Sequence, residues 1–315
     1  MPRYVATRIV TALITALGVA TIVFVAMRLV PGGFVQALLG PNTVQQPEVV
    51  AAMQKRYGLD QPLIVQYGRY LGDLLHGDLG TSFAYRAPVN DLIREALPKT
   101  FELGLAAFAF AVLIGIPIGV LSATRPGGWF DRLGKGVALA GQSVPNFWLG
   151  ILLVLLFSVR LGWLPAFGYG TWQHIVLPAI ALGWYPLASL ARLTRSAVIE
   201  VLNKDHTVFQ RAKGVSVGNS LTHTMRNASL PIVTLAGIQL GYLFGGAVVI
   251  ETLFAWPGVG QLAIQGINSR DYPIVQGVVV VNTFLFVLLL LLVDLSYGVL
   301  DPRVRRHARG VPAAG

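Results

Sequence analysis

No cysteine occurs anywhere in the 315 residues. That excludes disulfides, thiolate nucleophiles and cysteine-held metals, and it leaves the redox compartment open. Charge is scarce as well. Asp, Glu, Lys and Arg make up 12% of the chain, against about 25% in an ordinary soluble domain. The five histidines, His76, His174, His206, His223 and His307, show none of the spacings that gather metal ligands. No GxxxxGK[ST] phosphate loop, HExxH or GxSxG is present, so no nucleotide-hydrolysing, zinc-peptidase or serine-hydrolase centre is expected. Internal repeats and low-complexity tracts are missing too. No catalytic residue, metal site or cofactor is expected in this chain.

What the chain has in place of these is long apolar runs, 54% of it being hydrophobic. About 20 such residues cross a bilayer as a helix. Six runs qualify, near 9–29, 100–123, 136–159, 175–194, 230–252 and 276–298. The fourth contains Pro178 and Pro186, which membrane helices tolerate when neighbours satisfy the freed carbonyls. The first, Ile9 to Met27 behind Arg3 and Arg8, exceeds a signal core of about 7–15 residues. No small-residue cleavage pattern follows it before Pro31, so it reads as a retained helix. The net charge of +10 is scattered among the connections and forms no patch. It therefore reads as an orientation signal, and no nucleic-acid partner is expected. With both termini cytoplasmic, 15 of the 24 Lys and Arg fall on the inner side, and the connections 160–174 and 253–275 hold one each.

Four stretches result: a tail and first helix over 1–30, an extracytoplasmic segment over 31–98, a core of five spans over 99–303 and a cytoplasmic tail over 304–315. In 31–98 the spacing predicts three short amphipathic helices. One carries Val49, Val50, Met53 and Tyr57 up to Gly58. A second follows Pro62 with Ile64, Tyr67, Leu71, Leu74 and Leu75, ending at Gly77. The third opens at Pro88 with Val89, Leu92, Ile93 and Ala96.

Glu102, Glu251 and Asp294 lie within or beside the apolar runs. Their places near span ends predict carboxylates that reach water or headgroups, and argue against a proton relay at mid-bilayer. Gly115 and Gly119, and Gly237, Gly241 and Gly245, recur every four residues and predict close helix approach, within the chain or against a second subunit. Gln239 and Tyr242 flank the second stripe and are candidate residues of a polar path.

The connection Arg195–Asn227 is charged and lies between two spans. Ser196 to Leu202 extends the fourth helix beyond the membrane. Asp205 caps a short helix that runs to Lys213, and Gly214 ends it. Ser220 to Asn227 then leads back to Leu230-Pro231, where the next span begins. A transverse helix held off the membrane in this way suits docking on a soluble partner. Arg211, Ala212, Lys213 and Gly214 form its end, and Val208 and Phe209 supply apolar contact.

These residues resemble the coupling loop of bacterial ABC importer permeases in its peptide-transporter variant: Asp205, then Arg211-Ala212-Lys213-Gly214, then His223…Arg226-Asn227-Ala228…Pro231. The likeness extends along the chain. Tyr57-Gly58-Leu59-Asp60 with Pro62-Leu63, Gly77-Asp78-Leu79-Gly80 with Ser82, Pro145-Asn146-Phe147-Trp148-Leu149-Gly150 and Leu161-Gly162-Trp163-Leu164-Pro165 are similar to the B-type permease of dipeptide and oligopeptide importers. So are Phe254…Trp256-Pro257-Gly258-Val259-Gly260, Arg270-Asp271-Tyr272-Pro273…Gln276-Gly277 and Asp301-Pro302-Arg303. Two departures stand out. Val208-Phe209-Gln210 replaces Glu-Ala-Ala of the general loop, and Pro31-Gly32-Gly33-Phe34 replaces Pro-Gly-Asp-Pro.

The resemblance implies an all-α integral membrane protein with about six transmembrane helices, the fold of a type I ABC importer permease. It implies a non-catalytic subunit of an importer in the bacterial inner membrane, moving di- or oligopeptides inward. The partners it implies are a second related permease, two ATPase domains or subunits holding ATP and Mg, and an extracytoplasmic substrate-binding protein. Asp205, Val208, Phe209, Arg211, Ala212, Lys213 and Gly214 would couple to the ATPases. Trp256, Pro257, Gly258 and Gly260, with Arg270, Asp271 and Tyr272, would form an outer re-entrant segment that meets the binding protein or simply fills a gap. The same pattern extends to importers of nickel chelates, glutathione or haem. A stand-alone secondary transporter is the rival from another class, and a membrane enzyme is opposed by the missing motifs.

Overall fold

The computed structural model describes residues 2–29, 60–204 and 217–300, with the isolated positions 48, 51 and 55. The described residues are helical apart from short connections. In chain order the helices are α1 (Pro2–Leu29), α2 (Leu63–Leu75), α3 (Val89–Thr124), α4 (Trp129–Ser143), α5 (Asn146–Leu153), α6 (Trp172–Leu202), α7 (Val217–Leu253), α8 (Val259–Asn268) and α9 (Tyr272–Leu300). A π-helical turn, Val154–Arg160, continues α5.

Among the described residues five helices are long and apolar enough to cross a bilayer: Ala6–Leu29, Val89–Thr124, Trp172–Leu202, Thr224–Leu253 and Tyr272–Leu292. The third expected span, 136–159, is not one rod. It is α4 followed by α5 and the π turn, bent by 108°. The bend falls at Val144-Pro145, both extended, because proline holds its predecessor out of the helical region.

Two boundaries also differ from the sequence expectation. The amphipathic piece at Val89 is not a separate helix. It runs through Pro98 into α3, which at 36 residues is about 54 Å long and overhangs a bilayer core. Likewise α7 begins at Val217, so Ser220–Asn227 belongs to its first turns and Pro231 lies inside it. The second amphipathic helix forms as α2 and leans on α1. Tyr67 shares a 2.6 Å hydrogen bond with Thr21, and Phe24 meets the rings of Tyr67 and Tyr70 at 5.1 and 5.5 Å. Burial pushes the Tyr70 phenol up to about 12, against the pull of Arg28.

The centre of the bundle is α6, the most buried span, with both its prolines enclosed. α3, α4 and α7 pack on it. The crossing with α3 is close because glycines line it. A Cβ on Gly115 would sit 2.7 Å from the Leu187 carbonyl oxygen, and one on Gly119 would sit 2.6 Å from that of Ala191. One of the two predicted glycine stripes thus packs within the chain. In the other, Gly245 faces open space. Ile14, Leu17 and Ile22 on α1 and Phe284, Leu288 and Leu292 on α9 point outward. Apolar surface of this extent is what lipid or another subunit covers.

Candidate functional site

The connection between α7 and α9 holds most of the residues picked out as an outer segment, and it forms a hairpin around α8. Leu253 ends α7, Ala255 turns the chain with φ of 50°, and Trp256 N–H returns to the Glu251 carbonyl at 2.8 Å. Gly258 then starts α8 with no side-chain cap of its own. The exposed first amides of a helix need acceptors. Here they come from other helices. Val259 N–H donates to Thr100 Oγ1 at 2.8 Å, and Gly260 and Gln261 N–H donate to Glu251 Oε2 at 2.7 and 3.1 Å. Thr100 Oγ1 in turn donates to Glu251 Oε1 at 2.7 Å. A carboxylate at a helix N-terminus also meets the positive end of the helix dipole.

Glu251 is therefore not at a water-reaching span end, as its place in the sequence suggested. It is fully buried, with 0% exposure, because three donors replace its hydration. The two glycines make this possible. A Cβ on Gly258 would fall on the Glu251 carboxylate, and one on Gly260 would come within 2.5 Å of Val248 Cα.

Two further clasps hold the hairpin. The Trp256 ring is buried, donates from Nε1 to the Lys99 carbonyl at 2.8 Å and meets the edge of Tyr169 at 4.8 Å. Tyr169 donates to Glu102 at 2.9 Å, and that bond raises its phenol above the usual value. At the far side Asp271 is buried and caps α9, with Oδ1 near Ile274 N–H at 3.4 Å. Its Oδ2 accepts from Ser82 Oγ at 2.7 Å and Ala84 N–H at 2.8 Å. Arg270 is exposed with φ of 55°, ending α8 in the left-handed region. Tyr272 and Pro257 are half-buried.

The structure thus brings Trp256, Gly258, Gly260 and Asp271 into one braced unit, and it adds Glu251, Thr100, Ser82 and Tyr169, none of which the sequence assigned to the outer segment. Glu251 was the visible signal, a carboxylate in an apolar run followed by a Gly-Val-Gly turn. Of the path candidates, Gln239 is buried at 4% exposure and Tyr242 is 65% exposed, on neighbouring parts of α7. The coupling residues Asp205, Val208, Phe209, Arg211, Ala212, Lys213 and Gly214 lie outside the described residues. α6 ends at Leu202 before them, having run on past Ser196 as expected. The hairpin and the 205–216 connection lie at opposite ends of α7, whose 37 residues span about 55 Å. Among the described residues no cluster of His, Asp or Glu fits a metal ion.

Comparison with known proteins matches two family models. Residues 1–104 fit the N-terminal region of the binding-protein-dependent transport system membrane component, and residues 115–306 fit the inner membrane component itself. The chain is 42% identical over 306 residues to the glutathione transport system permease protein GsiC of Salmonella paratyphi A, covering 97% of this chain and 99% of that one. It is 38% identical over 334 residues to the dipeptide transport system permease protein DppB of Alkalihalophilus pseudofirmus, with 97% and 100% covered. A putative peptide transport system permease protein of Brucella abortus is 43% identical over 314 residues, with 97% and 99% covered. Among solved structures, an inward-facing MetNI methionine ABC transporter chain shares the fold at a TM-score of 0.57 and 21% identity, covering 67% of this chain and 96% of that one.

Proposed function

Because the chain belongs to the family of binding-protein-dependent transport system inner membrane components, we propose that it is one of two permease subunits in an ATP-driven importer moving di- or oligopeptides into the cytoplasm. The observation that carries this is the likeness along 97% of the chain to permeases named for dipeptides and peptides. Separate ATPase subunits bind ATP and Mg, and an extracytoplasmic binding protein delivers the cargo. Both termini and the 205–214 connection lie in the cytoplasm, so the hairpin at the other end of α7 faces outward.

The mechanism is alternating access. Closure of the ATPase pair drags Asp205–Gly214. That pull travels along α6 and α7, which act as rods because their backbones are hydrogen-bonded along most of their length, apart from the breaks at Pro178, Pro186 and Pro231. Trp256, Pro257, Gly258, Gly260, Arg270, Asp271 and Tyr272 ride on the outer end of α7, where they guard the opening and meet the binding protein. Gln239 and Tyr242 lie along the path between the two permeases. A few kcal/mol of difference between states suffices to flip such a balance.

The test is Gly214→Pro combined with Arg211→Glu and Lys213→Glu. Loss of ATPase co-purification and of ATP-dependent dipeptide uptake in vesicles is expected. Normal co-purification and uptake would overturn the coupling assignment, and uptake without any ATPase subunit would make the chain a secondary transporter. A second cargo, glutathione, is favoured by the 42% identity to a permease of that name. Competition between unlabelled glutathione and unlabelled dipeptides for uptake separates the two.

A further inference from the structure

At the end of the bundle from which the 205–216 connection leaves, a cleft of about 220 Å³ opens between α3, α4 and α6. Its polar side carries Lys135, Arg192, Arg195 and Gln142, and its apolar wall includes Ile118 and Leu139. The charges do not balance. Asp131, sealed from water beneath them, holds Arg195 through Nε at 2.6 Å and Lys135 through Nζ at 3.0 Å, and accepts the Gly127 amide at 2.8 Å. One carboxylate therefore serves two cations. Among the described residues Arg192 donates only to the neutral Gln142 Oε1, at 2.9 Å. Among the described residues no carboxylate stands within ion-pair distance of it. Three positive charges face one negative charge, leaving an excess of two.

We propose that this cleft binds the phosphate of an anionic phospholipid headgroup. The excess charge and the guanidinium and ammonium donors match a phosphate. The volume lies below the roughly 300–1,000 Å³ of sites that enclose a drug-sized ligand, which suits a headgroup whose chains remain outside. Those chains have a surface to lie on: Leu139 is 71% exposed beside the cleft, and Trp129, Phe130 and Leu133 of the same helix are exposed too. Helix α4 buries Asp131, Gly134, Ala138 and Gly141 on one face and presents this apolar and basic mixture on the other, the pattern of a helix at a membrane interface. Basic recesses between membrane helices take anionic headgroups by the same physics. Buried Asp131 has the positioning role, holding Arg195 and Lys135 at the rim, so that an arriving phosphate finds its donors already ordered.

The full chain, assembled with its partner subunits, is placed in nanodiscs of phosphatidylcholine alone or with phosphatidylglycerol. The rate at which an amine-acylating reagent labels Lys135 is measured against Lys204 as an internal reference. With an excess of two positive charges in the cleft, phosphatidylglycerol is expected to slow Lys135 labelling by about tenfold over phosphatidylcholine. Arg192→Gln removes the charge that Asp131 does not hold and keeps the ion pairs, and it should cut that protection to about twofold or less. Millimolar inorganic phosphate in phosphatidylcholine discs should not protect. Equal labelling of the wild type in both lipids overturns the proposal, and that comparison needs no variant. Full protection retained in Arg192→Gln overturns it as well. Protection by inorganic phosphate alone overturns the lipid assignment in favour of a soluble phosphate.

Discussion

The Glu251 carboxylate accepts hydrogen bonds from two backbone amides and a hydroxyl. Replacing it by alanine strands the Gly260 and Gln261 amides and the Thr100 hydroxyl in a dry site. Unsatisfied buried donors cost about 1–3 kcal/mol each, part of which relaxation recovers, so Glu251→Ala should lose about 3 kcal/mol of stability. Glu251→Gln keeps one acceptor for the two amides and turns its NH₂ toward Thr100 Oγ1, and it should lose about 1 kcal/mol. Thermal unfolding of the purified protein in detergent ranks the two, and equal losses would show that the carboxylate does not organise the turn. Asp131→Ala leaves Arg195 and Lys135 facing each other without a counter-ion. Deeply buried pairs lose about 3–5 kcal/mol when one partner goes. Lys135 is 59% exposed, so water takes over part of the role, and a loss of about 2 kcal/mol is expected in the same assay.

At the level of elements, the crossing of α3 and α6 is set by backbone approach. Gly119→Ala drives a methyl against the Ala191 carbonyl and Thr194. The helices must separate, at a cost of about 1–3 kcal/mol. A Cβ added at Gly245 on α7 would meet no described neighbour within 4 Å, so Gly245→Leu should change the stability of the isolated chain by no more than about 0.5 kcal/mol. Where a second permease covers that face, the same leucine should reduce co-purification with it. A destabilised isolated chain, or undiminished assembly, would remove α7 from the subunit interface. The bend at Val144-Pro145 belongs to this scale too: a run of apolar residues satisfies the length rule for a span, yet one proline turns half of it through 108°.

Over the whole molecule, the hairpin and the connection proposed for coupling adjoin opposite ends of α7, which is about 55 Å long. Damage at one should leave the other intact. Gly258→Val puts a branched side chain where the Glu251 carboxylate lies and should abolish ATP-dependent uptake while ATPase subunits still co-purify. The triple change at Arg211, Lys213 and Gly214 should lose both. If Gly258→Val also releases the ATPases, the helices do not act as independent rods and the fold itself depends on the hairpin.

The residue order alone determined that this is an all-helical membrane protein, because stretches of about 20 apolar residues have one stable way to satisfy their backbone in lipid. Through the resemblance they carry, it also drew Trp256, Gly258, Gly260 and Asp271 together as one expected outer segment. Only the tertiary structure decided what those residues do. Glu251 is 151 positions from Thr100, and Asp271 is 189 from Ser82. No local pattern links such partners, so a carboxylate that position alone places at a wet span end becomes the buried cap of another helix. The same holds for the fused α3, where packing on α8 and α9 carries a helix through Pro98, and for the cleft under Arg192, whose excess charge appears only when three helices meet.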